Sequence, residues 1–113
     1  MLLEERCEAC VPGAPRVTPE EQAELEPQIP EWSRIEVKGE PRLRRTYRFE
    51  SYEAALAFTQ KIGELAIAED HHPTILTQWG KVTVTWWTHA INGLHRNDYI
   101  MAAKSDAAFA RTG

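Results

Sequence analysis

The chain has 113 residues, a length that fits one domain with a modest core. Apolar residues make up 42% and charged residues 27%, the balance of a soluble globular protein rather than a disordered or membrane one. A formal net charge of −4 argues against an unspecific grip on nucleic acid, and no apolar run approaches the roughly 18–20 residues of a membrane span.

The first residues, MLLEERCEAC, carry acids where a secretory signal needs a basic start and an unbroken apolar stretch, so a cytoplasmic address is expected. Cys7 and Cys10 form a lone CxxC. It has no second pair, and the nearest histidine is as distant as His71, so no metal site is expected there. It also lacks the preceding strand and following apolar helix of a thioredoxin-like pair, which leaves two reduced thiols. With the turn-forming VPGAP behind them, residues 1–17 read as a flexible tail.

The first helix starts at a capping box: Thr18 caps, Pro19 takes the first helical position and Glu21 closes the box. Pro27 and Pro30 stop it after about Glu26. Trp32 to Val37 reads as a strand, with a turn at Lys38–Glu40. In the next strand, RLRRTYRFE, alternation puts Leu43, Arg45, Tyr47 and Phe49 on one face and Arg42, Arg44, Thr46 and Arg48 on the other. Neither a glycine-rich cradle nor interleaved aromatics accompany the arginines, so they read as a solvated sheet face. Ser51 caps a helix over residues 51–69, with Phe58, Ile62 and Leu65 as its core stripe, widened by Ala54, Ala55 and Leu56.

Two strands follow, Thr74 to Gln78 and Lys81 to Trp87, joined tightly through Trp79 and Gly80. A last helix starts near Asn97 or Asp98, and its stripe of Ile100, Ala103, Ala107 and Ala110 suits close packing within the chain or between subunits. Strand pairs separated by helices predict an α+β domain over residues 18–113: a four-stranded antiparallel sheet with helices packed on one face.

The segment EDHHPTILTQWGKVTVTWWTH concentrates the candidate chemistry, with three of the four histidines and three of the four tryptophans. Adjacent residues diverge on a strand or a helix, so His71 and His72 do not readily share a metal ion. Three buried neutral histidines would need partners for six ring nitrogens, which makes a purely structural role for all of them costly. Pro73 keeps His72 extended. Acid–base work fits best, because histidine gives and takes protons near neutral pH. The hairpin can bring His71 and His89 together, and Trp79, Trp86 and Trp87 can bound a slot for a flat heterocycle. No serine or cysteine nucleophile is paired with the histidines.

The run His71-His72-Pro73, five residues, Trp79, nine residues, His89, eight residues, Asp98 resembles the signature of the pterin-4a-carbinolamine dehydratases. "TQWGKVTVTWWTH" and "GLHRNDYIMAA" fit as well, and the CEAC tail looks like that of bacterial members. The resemblance covers about residues 18–110. It implies loss of water from 4a-hydroxytetrahydropterin to give quinonoid dihydropterin, in recycling the cofactor of phenylalanine hydroxylase. It implies catalytic His71, His72 and His89, with His71 and His89 as the acid–base pair, and substrate binding through Trp79, Asp98, Pro73 and Trp87. It calls for no metal and no bound cofactor, and for a homodimer or homotetramer. One departure stands out: Ile67 occupies a position, four before His71, where the family usually has a carboxylate; Glu69 and Asp70 are the nearest substitutes. Relatives of the fold also act without catalysis, as a dimerisation cofactor or an assembly chaperone. An interaction protein with a vestigial pterin site is therefore the rival expectation.

Overall fold

The computed structural model describes residues 2–7 and 14–112, so Cys10, half of the CxxC, lies outside the described residues. Helix α1, Pro19–Leu25, opens on the expected capping box: the Thr18 hydroxyl accepts the Glu21 N–H at 3.2 Å and the Glu21 carboxylate accepts the Thr18 N–H at 3.1 Å. A 3-10 turn at Glu26–Gln28, with Pro27 inside it, ends the helix as the prolines predict.

Strands β1 (Ser33–Val37) and β2 (Glu40–Arg48) form a hairpin. Its two-residue turn uses Lys38 and Gly39, both at positive φ, the twist that suits a tight hairpin. Helix α2, Tyr52–Glu69, follows with the Ser51 hydroxyl accepting the Ala54 N–H at 3.0 Å. Strands β3 (Thr74–Gln78) and β4 (Lys81–Trp86) make the second hairpin, and α3 spans Arg96–Thr112. At its turn Gly80 has φ 75°, and an added Cβ would lie 3.2 Å from the Phe49 carbonyl, so glycine is required there twice over.

The sheet order is β1-β2-β4-β3, antiparallel throughout, and the predicted α+β class holds. The register sets Leu43 opposite Trp86 and Tyr47 opposite Val82, so one face gathers Leu43, Tyr47, Val82, Val84 and Trp86, all buried. Both long helices cover that face. The Tyr47 ring packs 4.6 Å from Phe58 of α2 and 4.9 Å from Phe109 of α3. Asp106 of α3 accepts from the Tyr47 hydroxyl, the Trp32 indole and the Arg45 guanidinium at 2.6, 2.9 and 2.7 Å, which ties helix to sheet through one carboxylate. Burial and that carboxylate push the Tyr47 hydroxyl pKa well up.

Two helix faces differ from the expectation. In α2 the buried positions are Ala55, Phe58, Ile62 and Ala66, while Ala54 and Leu56 are exposed. Each helical residue turns about 100°, so Leu56 lies a quarter-turn off the stripe that begins at Ala55. In α3 Ile100 is buried together with Asn97, Asp98, Tyr99, Met101, Ala102 and Ser105, whereas Ala103 and Ala107 are half-buried and Ala110 is exposed. An apolar count misses this face because Asn97, Asp98 and Ser105 are polar. Their bonds, including Trp86 Nε1–H to Ser105 Oγ at 3.2 Å, make burial tolerable.

Residues 2–7, part of the stretch expected to be a tail, lie against α2 and α3. Leu2 is buried, Arg96 donates twice to Glu5 at 2.7 Å, and the Cys7 N–H donates to Glu69 at 2.9 Å. Among the described residues no helix is long and apolar enough to cross a membrane.

Candidate active site

The end of α2 aims the first histidine. Asp70 adopts the left-handed conformation at φ 51°, its N–H returns to the Ile67 carbonyl at 3.3 Å, and the His71 N–H returns to Ala66 at 3.1 Å. This paired closure ends the helix and swings the chain back, so that His71 is buried and His72 is exposed. The His71 ring stacks on Trp86, centroids 5.6 Å apart and planes 8° from parallel.

His71 Nε2 lies 2.7 Å from Asp98 Oδ1. The other Asp98 oxygen accepts from the Thr88 hydroxyl at 2.8 Å and the His95 backbone N–H at 2.9 Å. His95 in turn accepts the Asn97 N–H on Nδ1 at 3.0 Å, so the start of α3 is a capping box built from a histidine and an aspartate. Asp98 is fully buried and answers three donors on two oxygens. In neutral His71 the donor is Nε2–H, which assigns the lone pair to Nδ1.

His89 arrives from the other side of the hairpin. Beyond β4, Thr88 and Gly93 pair back-to-back at 2.9 and 3.4 Å, and the enclosed 3-10 turn His89–Ile91 ends at Asn92 with φ 52°. Arg16 Nε donates to the Ile91 carbonyl at 2.8 Å and pins the turn from outside. The two segments border an open cavity of about 270 Å³ lined by Asp70, His71, His72, Trp87, Thr88, His89 and Ala90. A larger groove of about 550 Å³ between α2 and α3 has Lys61, Glu64, Leu65 and Lys104 in its lining but no histidine.

The structure thus brings His71, His72, His89 and Trp87 to one cavity. Asp98 is fully buried behind His71 and is not in the cavity lining. Trp79 sits at the far turn of the hairpin, 72% exposed, and is not in the cavity lining; five strand residues separate it from Pro73. Half-buried Pro73 flanks the site without lining it. Ile67 is 76% exposed on the last turn of α2. Of its two substitutes, Glu69 is turned to Cys7 and Arg6, while Asp70 reaches the cavity. Burial raises the Glu69 pKa, but the Cys7 N–H, Arg6 and Lys104 outweigh it and the net shift is downward. Two contributors escape a reading by motif: Thr88, for which the sequence has no signal, and His95, which the H-x-x-D spacing before a helix would have flagged as a cap.

The family described as Pterin 4 alpha carbinolamine dehydratase matches residues 15–108. A Gloeobacter violaceus protein, provisionally named pterin-4-alpha-carbinolamine dehydratase 1, is 58% identical over 112 residues, covering 99% of this chain and 97% of its own. A Syntrophotalea carbinolica protein with a similarly provisional name is 57% identical over 94% of this chain and 95% of its own. Among solved structures, a transcriptional coactivator/pterin dehydratase from Brucella melitensis superposes with a TM-score of 0.74 at 30% identity, covering 83% of this chain and 98% of that one. A pterin dehydratase-like protein identified as a RuBisCO assembly factor in the alpha-carboxysome shares the fold alone, with a TM-score of 0.59 at 24% identity over 69% of this chain and 88% of that one. With a match over most of its length and relatives at this identity, the chain belongs to the pterin-4-alpha-carbinolamine dehydratase family.

Proposed function

We propose that the protein is a cytoplasmic dehydratase that removes water from 4a-hydroxytetrahydropterin to give quinonoid dihydropterin, recycling the cofactor for phenylalanine hydroxylase. The observation that carries this reading is the convergence of His71, His72 and His89 on one cavity, with Asp98 holding His71 from behind. The C4a hydroxyl is a poor leaving group until it is protonated. An acid delivers that proton as the C–O bond breaks and water departs, and a base removes the ring N–H proton as the C=N bond forms. His71 and His89 are the acid–base pair in this reading, and His72 binds and orients the pterin. Protons alone balance the step, so no metal or bound cofactor enters it.

In the hydroxylase reaction, wild-type protein is expected to accelerate quinonoid formation. His71→Ala and His89→Ala are each expected to lower the rate by about 10²- to 10⁴-fold, the usual contribution of a positioned acid or base. Wild-type protein no faster than buffer overturns the assignment.

One observation favours an additional role in protein contact: Tyr52, Leu56 and Ile67 of α2 are 44, 51 and 76% exposed, more apolar surface than a helix facing only water needs. The partner we assign is a second copy of the chain, in a homodimer or homotetramer, and sedimentation showing only monomer removes it. The rival reading, a non-catalytic dimerisation cofactor or assembly chaperone, requires an associating protein without turnover.

A further inference from the structure

The outward arginines of β2 are not alike. Arg44 and Arg48 are exposed, but Arg42 is half-buried, with its guanidinium carbon 4.0 Å above the centre of the Trp87 ring and Nη2 2.9 Å from Glu40. The side chains of that ion pair are only 20 and 13% exposed. The register explains the meeting. Leu43 stands opposite Trp86, so the next residues outward, Arg42 and Trp87, project from neighbouring positions on the sheet face turned away from the core. Trp87 is also the first residue past the end of β4 and lines the cavity.

Arg42 Nε and Trp87 Nε1 are both buried without a hydrogen-bond acceptor among the described residues. The guanidinium that covers the indole is itself paired with Glu40. A cation over an indole is attracted to the ring face, most strongly where water is excluded. Arginine, planar and delocalised, suits such a stack and can keep an ion pair in the same plane.

We propose that Arg42, fixed by Glu40, is a positioning residue that holds the Trp87 indole as one wall of the cavity. The proposal rests on the reading of that cavity as the pterin site. Arg42 touches no reacting atom; it acts through Trp87, so its loss affects capture of a flat ring more than the proton transfers that follow.

The test compares wild type with Arg42→Met, which keeps a stem of apolar atoms but removes the cation, and with Arg42→Lys and Glu40→Gln. Kinetics with 4a-hydroxytetrahydropterin are expected to show KM raised roughly 3- to 30-fold in Arg42→Met with kcat within about twofold, and partial recovery in Arg42→Lys. The indole N–H resonance of Trp87, read in tryptophan labelled with ¹⁵N, is expected to shift and broaden in Arg42→Met and in Glu40→Gln, with the other three indoles unmoved. Unchanged KM together with an unmoved Trp87 resonance overturns the proposal. If Arg42→Met fails to fold, Arg42→Lys and Glu40→Gln decide by the same two readouts. If wild type shows no turnover, the dehydratase reading has failed by itself, and the Trp87 resonance still decides the positioning role.

Discussion

Asp98 shows how much one side chain can settle. Its two oxygens answer His71 Nε2, the Thr88 hydroxyl and the His95 N–H, joining the end of α2, the end of β4 and the start of α3. The family resemblance groups it with the substrate-binding residues; in the structure it caps α3 and meets His71, because the third position of a helix points one carboxylate oxygen back at the cap and leaves the other for a neighbour. Asp98→Asn keeps the shape but exchanges one acceptor for a donor, which sets an N–H against His71, or against Thr88 and His95. A stability loss of about 1–3 kcal/mol is expected from chemical denaturation. A fall in kcat of roughly 10- to 100-fold is expected alongside it, as for other residues that orient a working histidine. A variant with wild-type stability and kcat would contradict the role assigned to Asp98.

Elements were legible where periodicity and caps agree. Thr18, Pro19 and Glu21 mark α1, Ser51 marks α2, and alternation marks β2 and β4. The stretch before α1 was not legible, because its anchors come from distant elements: Arg96 for Glu5 and Glu69 for Cys7. This gives a pH dependence with a definite sign. The hydrogen bonds from Arg96 hold the Glu5 carboxyl below its ordinary 4.5, against an opposing effect of burial. A group depressed in the folded state stabilises it above the unfolded value, and that contribution is lost as pH falls through the folded one. Wild type is therefore expected to exceed Glu5→Gln in stability by about 0.5–1 kcal/mol near pH 7, the range of a partly exposed pair. The gap should close as pH drops below 4.5. Equilibrium unfolding of both proteins across pH checks this, and a gap that is absent at pH 7 or constant with pH contradicts it.

At the scale of the whole molecule, the order of helices and strands already implied that the β3–β4 hairpin returns the chain to its starting point. That return is why His71 and His89 line one cavity. What the order does not contain is anything that depends on packing or register between elements. The Asp98 support requires α3 to cross behind His71, the Arg42 stack requires β2 and β4 in one particular alignment, and the exposure of Trp79 follows from its place at the hairpin turn rather than its end. The claim that unites these observations is that the cavity between His71 and His89 receives the pterin ring. A crystal structure of the protein with bound dihydrobiopterin tests it most directly. The ring is expected between these two histidines, each within hydrogen-bond distance of it, with the Trp87 indole alongside. A pterin bound elsewhere, or an empty cavity at saturating ligand, would contradict it.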